Sequence, residues 1–209
     1  MAQKVVQGLV KIALALRHQA WEHAYPHALT PTQAQILAYL LSRDPQGVRV
    51  LEIARVLAVK PPTASDAVDA LVRKGLVRKR HGPQDRRARE VRLTDAGRRV
   101  AHRAALWPDF LAKVVEGLSS QEQAALLQVL LKVIRTLQER GEIPPSRMCL
   151  SCMYFRPFAH PDPDRPHHCA FVDAPFGIPH LRLDCPDHLA ADAQTASRLW
   201  DAFHGGRAG

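Results

Sequence analysis

Apolar residues recur at helical spacing from the start of the chain. Val5, Leu9, Ile12, Ala13 and Leu16 share one face, so residues 3–24 are predicted to form an amphipathic helix that Pro26 ends. Thr30-Pro31-Thr32-Gln33 starts a second helix. Thr30 caps it, Pro31 suits its first turn and Gln33 completes a capping box. Its stripe is Ile36, Leu37, Leu40 and Leu41, and Asp44-Pro45-Gln46-Gly47 closes it as a loop. Residues 51–57 read as a short helix and Val59-Lys60 as a turn. Pro61-Pro62 opens a further helix running to Lys74. On it Ala64, Ala67, Val68 and Leu71 face inward, while Thr63, Ser65, Asp66, Asp69 and Arg73 face outward. Gly75 stops it.

From Leu76 the period changes from helical to two. Val77 alternates with Arg78 and Arg80, and Val91 and Leu93 alternate with Glu90 and Arg92. These are strands with one wet face, joined by a turn over residues 81–85. Thr94 caps a helix that continues to about Glu116, bent at Pro108. Ser119-Ser120-Gln121-Glu122 is a second capping box. The long helix behind it carries Ala125, Leu126, Val129, Leu130, Val133, Ile134 and Leu137 and ends at Gly141. Pro144-Pro145 marks a boundary, and from Pro144 to the end lie nine of the sixteen prolines and six of the eleven histidines. A loop-rich tail follows, with a short terminal helix over residues 190–203. The pattern therefore predicts a mainly α protein with a small β-wing: residues 1–143 as one domain and 144–209 as a cysteine-rich segment.

Charge sharpens this picture. The net charge is +9, but residues 1–148 hold 24 basic and 13 acidic residues, whereas residues 149–209 hold 5 and 7. Residues 73–103 alone carry twelve Lys/Arg against three acids. A polyanion partner is thus expected for the first part of the chain. Helix, turn, helix and ribbon in that order place one helix in the DNA major groove with the ribbon beside it. Thr63 and Ser65 can bond base edges or phosphates, and Arg73 and Arg78 flank them. Arg86, Arg87 and Arg89 sit at or just after the ribbon's turn, where an arginine can enter a narrow minor groove. Asp66 and Asp69 are unwelcome near phosphates and are expected to pair with Arg55, Arg73 or Lys74.

Residues 29–139 resemble the MarR family of bacterial transcription regulators. Three stretches carry the likeness: Leu29 to Leu37, Ala70 to Arg78, and Asp85-Arg86-Arg87-Ala88-Arg89 with Arg92-Leu93-Thr94-Asp95-Ala96-Gly97. The resemblance implies a winged helix-turn-helix flanked by long dimerisation helices, and a homodimer on a pseudo-palindromic double-stranded operator. It also implies repression or activation relieved by a small-molecule effector or by oxidation. Apolar residues such as Val5, Leu9, Leu130 and Leu137 agree, exceeding what one monomer needs to cover. The chain departs from the family in the 60 or so residues after the last long helix.

All four cysteines lie in that extra segment: Cys149-x-x-Cys152, Cys169, and Cys185-Pro186-Asp187-His188. In a cytoplasmic protein such a cluster reads as a metal site before disulfides. One set uses Cys149, Cys152, Cys185 and His188 and leaves Cys169 over; the other uses all four cysteines. Zinc is the first reading and an iron–sulfur cluster the second. Phe155, Phe158, Phe171 and Phe176 could form a small core, and His167, His168 and His180 read as surface residues first and as alternative metal ligands second. No apolar run approaches the roughly 18 residues that read as a membrane span, and no signal peptide precedes the first helix, so a cytoplasmic location is expected. No nucleophile–base arrangement or phosphate loop suggests an enzyme. The rival to a DNA-binding regulator is a metal-bound redox or electron-transfer protein that uses the winged helix for protein contact.

Overall fold

Thr30 accepts a hydrogen bond from the Gln33 amide at 3.3 Å, and the Gln33 side chain accepts one from the Thr30 amide, so the expected capping box opens α2 (Pro31–Leu41). The computed structural model describes residues 1–25, 28–43, 47–81, 89–106 and 108–205. They fall into two units, Met1–Gly117 and Leu118–Gly209. The units meet ahead of the last long helix, whereas the composition changes only at Pro144-Pro145.

The first unit begins with α1 (Ala2–Ala24). Of its side chains only Ala20 and Ala24 are buried. After α2 come β1 (Val48–Arg49), α3 (Val50–Val56) and α4 (Pro61–Arg73). Gly75, at φ +68°, ends α4 in the left-handed region that glycine enters without a Cβ penalty. The ribbon is β2 (Val77–His81) and β3 (Arg89–Leu93), antiparallel in the register Val77 opposite Leu93 and Lys79 opposite Val91. β1 adds on the other side of β3, giving the order β1-β3-β2. Ile36, Leu37, Ile53, Val68, Leu71, Val91 and Leu93 fill the core between helices and sheet. Lys74 ties the end of α4 to the start of α2, donating to Gln33 Oε1 at 2.7 Å and to the Ala28 carbonyl.

Thr94 holds the ribbon to the next helix, α5 (Asp95–Ala104). Its hydroxyl accepts the Gly97 amide at 2.9 Å and donates to the Gly75 carbonyl at 2.8 Å. Thr94→Ala removes this cap and should cost about 1 kcal/mol. Urea unfolding of the full chain checks it; an unchanged midpoint would mean that the cap contributes nothing. The sequence suggests one bent helix from Thr94 to Glu116, but there are two, α5 and α6 (Asp109–Glu116). Proline lacks an amide donor and disfavours the helical region for the residue before it, so Pro108 separates two helices instead of bending one.

The second unit opens with α7 (Ser120–Glu139), whose Ser119–Glu122 capping box is present as expected. One face of α7, with Leu127, Leu131 and Ile134, packs into the unit's own core. Another face, with Leu126, Val129 and Val133, stays exposed. The tail is more ordered than a loop-rich segment. β4 (Phe155–Arg156), β5 (His167–Cys169) and β6 (Ala174–Phe176) form an antiparallel meander, and α8 (Ala193–Gly205) follows. Three-residue strands are too short to leave a readable alternation in sequence. The core is Leu131, Met148, Leu150, Cys152, Phe155, Leu181, Leu199 and Phe203. Phe155 and Phe176 join it as expected, but Phe171 is 52% exposed. The apolar work falls instead to Met148, Leu150 and the residues of α8.

Candidate nucleic-acid interface and thiol cavity

Lys60 precedes α4 without a side-chain cap, and Pro61 and Pro62 occupy its first turn. Neither proline has an amide and the Ala64 amide donates to the Lys60 carbonyl at 3.1 Å, so the Thr63 amide is the one that this end leaves ahead of the helical bonds, where an anion is favoured. Pro61, Pro62, Thr63 and Asp66 are exposed and Ser65 is half-buried, while Ala64, Val68 and Leu71 are buried. The helix thus turns its small polar residues outward, as the spacing predicts. Arg73 and Arg78 are also exposed, one at the end of α4 and the other on β2. Thr63, Ser65, Arg73 and Arg78 therefore lie on the accessible surface of the helix-and-ribbon part. Arg86 and Arg87 fall within residues 82–88, outside the described residues, and only the backbone of Arg89 is described, as the start of β3.

Asp69 does not pair with Arg55, Arg73 or Lys74 at hydrogen-bond distance. Its carboxylate accepts from Lys79 Nζ at 2.6 Å, which joins α4 to β2. That hydrogen bond, with the charges of Lys79 and Arg73 behind it, holds the Asp69 carboxyl below the usual carboxylate range. The signal was in the alternation: Lys79 lies two residues from buried Val77 and so shares its face toward α4. Asp69→Ala would release a cation and remove an anion beside the interface. It should tighten non-specific duplex binding a few-fold at low salt. Fluorescence anisotropy on a random duplex checks this, and weaker binding would contradict it.

In the second unit, Cys149 opens a 3₁₀ turn, and the Cys152 amide donates to the Cys149 carbonyl at 3.0 Å. With three residues per turn, positions three apart eclipse, so both thiols face the same way. The segment 182–191 is laced along 147–153 by main-chain bonds. Cys149 N–H donates to the Arg182 carbonyl, Cys185 N–H to the Arg147 carbonyl and Met153 N–H to the Leu189 carbonyl. Arg147 grips Asp184 with two bonds of 2.6 and 3.1 Å. These contacts bring Cys185 beside Cys149 although 35 residues separate them in sequence. Cys169 ends β5, opposite Phe155 on one side and Ala174 on the other.

The result is a cavity of about 160 Å³ lined by all four cysteines, with Tyr154, Phe155, Phe171, Val172 and Phe176 as apolar walls. The four thiols are free. Burial pushes the Cys149 thiol up, and the Arg182 amide, 3.3 Å from its sulfur, pulls it back down. The Arg182 guanidinium lies 3.9 Å from the Cys185 sulfur. Arg182 has no place in the cysteine spacing, and only the lacing of 182–185 along 147–149 makes it a neighbour of the thiols.

His188 is turned elsewhere, with Nε2 3.1 Å from Ser151 Oγ, while Cys169 faces the cavity. Among the described residues, no three His, Cys, Asp or Glu side chains form a group that could hold a single metal ion.

His167 was expected at the surface and is 0% exposed. The rings of Phe155, Phe158, Phe176 and Phe203 surround it at centroid distances of 5.0–5.7 Å. Its Nδ1 accepts the Phe158 amide at 3.3 Å. Burial among these rings pushes the imidazole down to about 4. The side chain is a neutral part of the core, not a surface residue.

Residues 28–88 match the model of the MarR family. Among solved structures, S. aureus MepR in DNA-binding conformation aligns with a TM-score of 0.57 at 24% identity, covering 64% of this chain and 98% of that one. The S. aureus MepR–DNA complex aligns with a TM-score of 0.56 at 23% identity, covering 63% and 97%. CouR from Rhodococcus jostii RHA1 bound to p-coumaroyl-CoA aligns with a TM-score of 0.55 at 22% identity, covering 69% and 95%. At these identities the likeness is one of fold.

Proposed function

We propose, from the match of residues 28–88 to the MarR-family model, that this chain is a sequence-specific DNA-binding transcriptional regulator acting as a homodimer. The observation that carries the reading is the exposed polar face of α4, with Thr63, Ser65 and Arg73, beside the cationic ribbon. Thr63 and Ser65 read base edges, and Arg73, Arg78, Arg86, Arg87 and Arg89 hold phosphates or enter the minor groove.

A second copy of the chain supplies the two-fold symmetry that a pseudo-palindromic operator needs. Support for it comes from α1, where Val5, Val6, Leu9, Val10, Ile12 and Leu14 are all exposed, and from the uncovered face of α7. Apolar faces of this size are characteristic of protein interfaces. The second unit serves as a metal-holding module that tunes the regulator, and a small-molecule effector acts on it as well, by analogy with the acyl-CoA-bound Rhodococcus neighbour. The electron-transfer reading draws no support from the winged-helix surface, whose charge and polar helix face suit DNA. No helix among the described residues is long and apolar enough to cross a membrane.

The test is selection from a random duplex pool with the full chain. An enriched inverted repeat whose half-sites lie about one helical turn apart is the expected result. Failure to enrich any sequence would refute the reading.

A further inference from the structure

We propose that the thiol cavity of the second unit is the binding site of an iron–sulfur cluster, held by Cys149, Cys152, Cys169 and Cys185. This rests on the reading of that unit as a metal-holding module, and not on DNA binding.

The size and lining of the site favour the larger of the two metal groups. Zinc binds thiolates at about 2.3 Å in a tetrahedron, which requires the sulfurs to converge to roughly 3.8 Å from one another. No three metal-ligating side chains among the described residues converge in this way. Yet all four thiols border one cavity of about 160 Å³. Four thiols bordering one shared cavity of this volume suit a group of several atoms. A cluster of iron and inorganic sulfide meets that need, because each thiolate binds an iron at a corner of the group and not its centre.

The surroundings suit such a group. Tyr154, Phe155, Phe171 and Phe176 line the cavity with rings. A tetrathiolate cluster carries net negative charge, and the Arg182 guanidinium stands beside Cys185. The Arg182 amide is directed at the Cys149 sulfur, the kind of N–H···S bond that stabilises a ligating thiolate and tunes a cluster's potential. The alternative fourth ligand, His188, is turned to Ser151 and leaves the site to the cysteines.

The test is anaerobic purification of the full chain from iron-supplied cells, followed by iron, zinc and acid-labile sulfide analysis with an absorption spectrum. Iron and sulfide in equal amounts, at about two or four of each per chain with broad visible absorbance, are expected. His188→Ala should keep both, and Cys169→Ser should lose them. Circular dichroism of the Cys169→Ser protein separates loss of the cluster from loss of the fold. If that variant does not fold, the metal and sulfide content of the unaltered chain decides alone. Roughly one zinc per chain without sulfide would overturn the cluster and leave the metal-holding module standing. Iron without sulfide would overturn it equally. A chain free of all metal would overturn both readings.

Discussion

Phe203→Ala should destabilise the second unit by about 4 kcal/mol. Phe203 is 7% exposed, and its ring lies 5.6 Å from His167, 6.2 Å from Phe155 and 6.4 Å from Phe158. With Leu199 it closes α8 onto the core that also carries Cys152 and Phe155. Truncation removes the ring's burial and leaves a gap that three neighbouring rings cannot collapse to fill. Hydrogen exchange of the full chain reads the effect by region. Amides of α7, β5 and α8 should lose protection, and those of α2 and α5 should keep theirs. A loss below about 1 kcal/mol would mean that α8 is only loosely attached.

Gly97→Ala should cost the first unit about 3 kcal/mol and abolish duplex binding with it. A Cβ on Gly97 would stand 1.8 Å from the Leu76 carbonyl oxygen. That oxygen is backbone, and it already accepts the Thr94 amide at 3.0 Å, so no flexible side chain can move aside. Either α5 shifts away from the ribbon or the ribbon leaves the end of α4. Both outcomes misplace β2 relative to α4, the two elements that carry Arg78, Arg73 and Thr63. Urea unfolding and anisotropy on the selected duplex measure the two effects. Gly205→Ala, where nothing lies within 4 Å of the new Cβ, is the control and should change neither. An unaltered midpoint for Gly97→Ala would contradict the close approach of α5 to Leu76.

The helices of the first unit were legible because each carries its own local signals. Thr30 with Gln33, Thr94 with Gly97, and Gly75 after Lys74 mark starts and stops that tertiary contacts did not overrule. The two strands of the ribbon followed from the alternation of Val77 with Arg78 and Arg80 and of Val91 and Leu93 with Glu90 and Arg92. What sequence could not show was pairing at a distance. Asp69 meets Lys79 only because β2 folds back along α4, whereas the sequence pointed to Arg55, Arg73 and Lys74. The tail was the least legible part. Its strands are two or three residues long, and its core draws on Leu131 from α7 and Phe203 from α8, more than 70 residues apart. His167 was misjudged for the same reason, since the four rings that bury it come from separate turns, strands and a helix. The cysteine spacing announced a shared site, but the cavity's width and the place of Arg182 follow from the lacing of 182–191 along 147–153.

The central claim is that the exposed face of α4 and the cationic ribbon recognise DNA, and one titration tests it most directly. The full chain is titrated with its selected duplex and with a shuffled duplex, at low and at moderate salt. With six to ten phosphate contacts per dimer, affinity should fall by about 10³–10⁵ between 50 and 200 mM salt. At the higher salt the selected duplex should still bind about 10³-fold or more tightly than the shuffled one. Equal affinity for the two duplexes, or an affinity indifferent to salt, would contradict the account.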